Sequence, residues 1–425
     1  MKRPSLPSRW CATLVTVALV AALQGCGGGD GFTPATAAGP ASTTASSTVP
    51  PVDDPASRRL LEPPPDAERV VSGPGQLVSA TRINTLAAAD ITAAVQGHDK
   101  MPTAHPVYSV TSYRLNYVTR DGRGNEVVAS GLVSVPLKEP GSRSPLLGYQ
   151  HATIFKDAQA PSNNVVPSEP TVILASLGFI VIAADYVGFG AAKAAQHPYL
   201  LSEPSAAAVT DLLTAARTWR HNATVLDNGQ LFLVGYSEGG YVTMATHRAL
   251  QAGNSAHRRQ LVGSIPGAGP YHVGVTLDMQ LQRVRDENAF IGGLISPGFL
   301  RYLGATVRNE VRRLILRLLI PDDADVTYQT TFLDNFLADD TAAIERDSNV
   351  HDWKPEAPVW MFHGRDDQTV PYAAATRTLQ AMQARGAGPT VTLTDCAATP
   401  ASHLGCVAPY FSHALGQMAP LVRDL

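Results

Sequence analysis

Leu231-Phe232-Leu233-Val234-Gly235-Tyr236-Ser237-Glu238-Gly239-Gly240 is the stretch that decides the fold. Four apolar residues in a row suit a short strand buried on both faces. From Tyr241 to Gln251 apolar positions recur at helical spacing, so a helix follows. Between the two lies a G-x-S-x-G pattern, whose glycines suit a turn tight enough to bring strand and helix backbones together. Such a turn is strained and lifts the serine hydroxyl at the carboxyl edge of a sheet. Ser237 is therefore the candidate nucleophile. The five-residue pattern alone leaves open a plain structural serine in a glycine-rich turn.

Outward from this point the chain keeps alternating. Leu146 to Tyr149, Phe179 to Ala184 and Val359 to Phe362 are further short apolar runs, and Val391 to Asp395 reads as a last strand. Ser205 to Arg220 repeats at helical spacing through Ala206, Val209, Leu212, Leu213 and Ala216. Earlier, Val107 to Val118 and Val127 to Val135 are β-rich and flank Arg120-Asp121-Gly122-Arg123-Gly124-Asn125, a hairpin signal. Strand–helix alternation predicts an α/β protein with a mostly parallel, doubly wound sheet. With the serine turn at its centre, that sheet points to the α/β-hydrolase fold. From about 275 to 350 there are helical patterns and no convincing strand, which predicts a helical cap inserted late in the sheet. There Val307, Val311, Leu314, Ile315, Leu318 and Leu319 form one stripe and Arg308, Arg312, Arg313 and Arg317 lie off it. The stripe is expected to pack on the main domain; a lid facing lipid is the sharper alternative.

A serine hydroxyl needs a base to take its proton, and the base needs an orienting carboxylate. In this fold the chain order is Ser, then Asp or Glu, then His. After Val359 to Phe362 comes His363-Gly364-Arg365-Asp366-Asp367-Gln368-Thr369-Val370-Pro371. It resembles the H-G-x-x-D-x-x-V-P segment of α/β-hydrolases, and register selects Asp367, with Asp366 as fallback and His363 as a structural residue. His403 follows the last strand in a loop and is the expected base; His413 competes but falls in the apparent final helix, Ala408 to Val422. For the substrate oxyanion, one donor is the backbone N–H of Glu238. The second is expected from Tyr149-Gln150-His151-Ala152-Thr153, through the main chain of His151 or of Ala152.

Taken together, Val128-Ala129-Ser130-Gly131-Leu132-Val133, Tyr149-Gln150-His151, Asp185-Tyr186-Val187-Gly188-Phe189-Gly190, Gly235 to Gly240 and the Asp367 and His403 segments resemble the secretory lipase family. These are the fungal lipase-A-like serine hydrolases and their bacterial esterase relatives. The likeness runs over roughly residues 105 to 420. It implies a cap between late strands, hydrolysis of carboxylic esters, and a structural role for Asp185 and Tyr186.

The N-terminus reads as an address. Lys2, Arg3 and Arg9 precede an apolar core from Cys11 to Leu23, which is short of the ~20 residues a membrane span needs. Leu23-Gln24-Gly25-Cys26 resembles a bacterial lipobox, although Gln24 is a less usual residue at its place. The expectation is a signal peptide over 1–25, a lipidated Cys26 and an outer-membrane lipoprotein, with Gly27 rather than Asp next to the lipid site. An ordinary cleaved signal is the alternative. Residues 26–75 are rich in Gly, Pro, Ser, Thr and Ala and read as a flexible tether before a catalytic domain over 76–425. Of four cysteines only Cys396 and Cys406 remain, and in an exported domain the pair suggests a disulfide around the His403 loop.

The 425 residues are 44% hydrophobic and 16% charged with a formal net charge of −3 and no basic cluster, so nucleic acid is excluded as a partner. No cofactor or metal spacing is evident, and the chain is expected to act as a monomer on an ester substrate, whether a small molecule, a lipid or a polyester. Two other readings stay open: a serine aminopeptidase or oligopeptidase on the same fold, and a surface-binding lipoprotein whose hydrolase site is retired.

Overall fold

Consecutive side chains of a strand point to opposite faces of a sheet, and here that alternation builds two cores. The computed structural model describes residues 71–97, 104–253, 255–287, 302 and 304–425. The chain divides into Met1–Pro63 and Pro64–Leu425, and the described residues belong to the second unit. The expected signal peptide over 1–25, Cys26 and the expected tether up to residue 70 lie outside them.

Nine strands form one sheet among the described residues: β1 (Leu77–Leu86), β2 (Val110–Arg120), β3 (Glu126–Pro136), β4 (Ser144–Gln150), β5 (Ile180–Ala184), β6 (Asp227–Tyr236), β7 (Leu261–Gly267), β8 (Val359–His363) and β9 (Val391–Asp395). Their spatial order is β1-β2-β3-β5-β4-β6-β7-β8-β9. The first three pair antiparallel down to β5; from β5 onward every pairing is parallel. The crossing from β5 back to β4 and out to β6 puts the serine turn at the carboxyl end of a central strand, where α/β folds place their sites.

Leu146, Ile180, Ile182, Leu231 and Leu233 turn to one face and pack with the helices Ser202–Asn222 and Glu238–Ala252. Leu147, Val181, Ala183, Phe232 and Val234 turn to the other, under the helices Pro170–Ser176 and Val407–Met418. The sheet is thus doubly wound, as the alternation predicted. The final helix stops at Met418, short of the expected Val422, and His413 lies within it.

Two strands were not legible. β1 pairs with β2 along an edge and most of its side chains are exposed, so it carries little apolar pattern. β7, Leu261-Val262-Gly263-Ser264-Ile265-Pro266-Gly267, is central, yet Gly263, Ser264 and Pro266 break its apolar run. A Cβ at Gly263 would lie 2.3 Å from Cζ3 of Trp360, so the neighbouring ring requires a flat position there. Pro266, which has no N–H for a ladder, further disguises it.

Between β7 and β8 come the helices Val273–Glu287, Ala305–Leu319 and Thr331–Leu337, in the region read as a cap. The two ends of this insert are tied together. Val273 N–H donates to Asn349 Oδ1 at 2.8 Å, and Val350 N–H donates to the Tyr271 carbonyl at 2.9 Å. Val311 and Ile315 of the stripe are buried in the core shared with the sheet, whereas Leu318 is exposed.

Candidate active site

Ser237 lies between β6 and the helix Glu238–Ala252, which it caps, with φ +60° and ψ −123°, a left-handed conformation that side chains rarely adopt. Such strain persists only where the surroundings over-determine it. Here the Ser237 N–H donates to the Gly267 carbonyl at 2.8 Å, tying the turn to β7. The other wall is β4. A Cβ at Gly239 would stand 2.1 Å from the Gln150 carbonyl oxygen, so only glycine lets the helix start against the end of that strand. The turn is held on both sides.

His403 Nε2 lies 2.9 Å from Ser237 Oγ, and its Nδ1 lies 2.6 Å from Asp367 Oδ2. A carboxylate only accepts, so Nδ1 carries the proton and Nε2 of the neutral ring is free to accept the serine O–H. Asp367 is buried. Burial works to raise its pKa, but hydrogen bonds from His363 and His403 outweigh this and hold the carboxyl well below its usual range. Its Oδ1 also accepts the N–H groups of Thr369 and Val370, each at 2.8 Å. His363, buried beneath, reaches the Val370 carbonyl at 3.0 Å and Asp367 Oδ2 at 3.3 Å from one nitrogen, Nε2. It braces the acid loop.

The loop carrying His403 is closed by a disulfide, Cys396–Cys406, with Cα atoms 6.0 Å apart. Asp366 belongs to this loop and not to the imidazole: its Oδ2 accepts the Ala401 N–H at 2.9 Å, and its own N–H donates to the Ala401 carbonyl at 3.1 Å. Tyr236, next to the serine, donates its O–H to the His403 carbonyl at 2.7 Å. His413 packs its ring against Phe362, 5.1 Å between centroids, and makes no contact with this array.

On the opposite side of Ser237 lies the His151 loop. The His151 ring turns inward: Nδ1 is 2.7 Å from the Ala152 carbonyl and Nε2 3.3 Å from that of Asp185. Burial lowers its pKa against the pull of Glu238 and these carbonyls. Its side chain is therefore structural, and any oxyanion contact from this residue comes from the main chain. Asp185 accepts hydrogen bonds from the hydroxyls of Ser130 and Ser162 and from the Ser162 N–H, which pins β3 and the loop before the helix Pro170–Ser176 to the end of β5.

His197 was missed by the sequence reading. Its Nε2 meets Glu238 Oε1 at 2.7 Å, with both side chains almost fully buried. No spacing signals it, because it lies in an irregular segment far from the serine turn in sequence. Beyond it a small apolar pocket is lined by Thr153, Phe155 and Tyr199 and by Leu316, Leu319 and Tyr328 of the cap. Among the described residues no group of three or more His, Cys, Asp or Glu is placed to hold a metal ion.

The sequence model of the prolyl oligopeptidase family matches residues 167–252, which include the whole serine turn but less than half of the chain. No curated protein matches the sequence. Among solved structures, the rice cell wall degrading esterase LipA from Xanthomonas oryzae superposes with a TM-score of 0.63 at 24% identity, covering 83% of this chain and 100% of that one. A protein of Legionella pneumophila gives 0.63 at 22%, covering 81% and 97%. Lipase A of Candida antarctica in its closed state gives 0.49 at 18%, covering 78% of each. The fold is that of the α/β-hydrolases.

Proposed function

We propose that the protein is an exported hydrolase of carboxylic esters that works through an acyl-enzyme on Ser237. The observation that carries this reading is the continuous hydrogen-bonded row Asp367–His403–Ser237 at a strained strand-to-helix turn. His403 takes the Ser237 proton as the oxygen attacks the ester carbonyl, and Asp367 stabilises the imidazolium. The backbone N–H groups of Glu238 and His151 hold the oxyanion, and collapse expels the alcohol, which takes the proton from His403. Water then attacks the acyl-enzyme with the same base, restoring Ser237 and releasing the acid. Ester cleavage is also what the Xanthomonas oryzae neighbour is named for.

The prolyl oligopeptidase match favours a peptidase as the second reading. Against it, a carboxylate near the site that could hold a substrate amine, Glu238, is buried and already paired with His197. Hydrolysis of p-nitrophenyl esters without release of arylamine from aminoacyl-arylamides supports the esterase; the reverse pattern overturns it. Fluorophosphonate labelling that disappears in Ser237→Ala tests the nucleophile and disposes of a retired site. Membrane attachment is proposed through a diacylated Cys26. Palmitate incorporation lost in Cys26→Ser supports the anchor, and a soluble, unlabelled wild-type chain refutes it.

A further inference from the structure

Glu238 follows the nucleophile, and its N–H is one proposed oxyanion donor, yet its side chain points away into the protein. We propose that Glu238 and His197 act as a positioning pair through which the docked cap segment 327–329 sets the oxyanion hole. This rests on the reading of Ser237 as nucleophile.

The geometry is a chain of short links. His197 Nδ1 lies 2.9 Å from the Val187 carbonyl and its Nε2 2.7 Å from Glu238 Oε1. A carbonyl only accepts, so Nδ1 carries a proton, and the other bond needs one proton shared between Nε2 and the carboxyl. Either placement, imidazolium with carboxylate or imidazole with carboxylic acid, leaves the pair without net charge. That neutrality matters, because an unpaired buried carboxylate on the residue that supplies a hole donor would oppose the negative charge that develops there.

His197 is fixed in turn by its main chain. Its N–H donates to the Thr327 carbonyl at 2.8 Å, and its carbonyl accepts the Gln329 N–H at 2.8 Å, the pattern of an isolated parallel bridge to Tyr328. The Tyr328 ring meets His197 edge-on at 5.4 Å, and the Tyr328 O–H donates to the Ile154 carbonyl, three residues beyond His151. Tyr186, whose O–H donates to the His151 carbonyl at 3.2 Å, stacks between His151 at 4.0 Å and His197 at 5.9 Å. One segment of the insert therefore holds His197, the partner of Glu238, and also the loop that carries His151.

The test compares Glu238→Ala, Glu238→Gln, His197→Ala and the double alanine variant of the full chain, reading kcat, KM and melting temperature. Fluorophosphonate labelling rates are read in parallel, since they need nucleophile and hole but no particular ester. A lost or displaced hole donor lowers kcat by roughly 10²-fold with KM little changed. We expect such a loss in each alanine variant, no further loss in the double, and recovery of at least about tenfold in Glu238→Gln over Glu238→Ala, because the amide can donate to unprotonated Nε2. Kinetics of Glu238→Ala within about threefold of wild type, multiplying losses in the double, or a folded Glu238→Gln as poor as the alanine variant each overturn the pair. Where the alanine variants do not fold, Glu238→Gln decides: a loss there of about 10²-fold in a chain of unchanged melting temperature refutes the proposal. A wild-type chain labelled at Ser237 but inactive on esters fails the ester reading alone, and labelling rates still judge the pair. A chain that Ser237 does not make reactive fails both.

Discussion

The two sides of Ser237 are built by different means. On the acid–base side, Asp367 and His403 sit on neighbouring loops after β8 and β9, held by charge-assisted hydrogen bonds, the Asp366–Ala401 pair and a disulfide. On the oxyanion side, segments around residues 150, 186, 197, 238 and 328 meet through stacked rings, close backbone approach and one buried acid–base pair. The first side is local, polar and covalently closed. The second is assembled from distant pieces by packing. Proton transfer depends on two short directed bonds, whereas an oxyanion hole needs main-chain N–H groups held still, which rigid packing supplies.

The comparison predicts where the molecule breaks. Removing a member of the proton-transfer row has the largest effect: Ser237→Ala or His403→Ala lowers kcat for a p-nitrophenyl ester by roughly 10⁴- to 10⁶-fold, and Asp367→Asn by about 10⁴-fold. Asp366→Asn, one position away, changes kcat by no more than about fivefold, since its carboxylate faces the Ala401 backbone. Equal losses in the two aspartate variants would erase the distinction between row and scaffold. On the packed side, Gly239→Ala forces its new methyl onto the Gln150 carbonyl, and a displacement of that kind lowers kcat by about 10²-fold. Unchanged kinetics in that variant would mean the turn is looser than the contacts imply.

Replacing Cys396 and Cys406 by alanine tests the covalent closure. Opening so short a loop lowers unfolding free energy by about 2–3 kcal/mol, read in denaturant titrations, and spares the oxyanion side. The smallest effect is on acid stability. Asp367 has a folded pKa below that of the unfolded chain, so its contribution is fully present above the ordinary carboxyl value near ~4 and fades as pH falls toward the folded one. The difference in unfolding free energy between wild type and Asp367→Asn should therefore shrink below about pH 4 and stay flat above it. A difference that grows on acidification would contradict this assignment.

Much of the polar side was legible because its chemistry is carried by local order. Ser237 announces itself by a strand, two glycines and a helix in sequence, and Asp367 by its register in His363-Gly364-Arg365-Asp366-Asp367. The competing His413 was set aside by helical periodicity alone. β7 escaped because Gly263, kept bare by Trp360, and Pro266 interrupt its apolar run, and His197 escaped because its partners lie far away along the chain.

The amino-acid sequence by itself determined the alternation of strands and helices, the tight turn and the chemical types available for proton transfer. These follow from periodicity and from glycine's backbone freedom, which act between near neighbours. Only the tertiary structure decided that His403 Nε2 faces Ser237, that Asp366 serves the loop, and that His197 holds Glu238. Those choices depend on distances between residues separated by many turns of chain, and such distances exist only once the two cores have closed on the sheet.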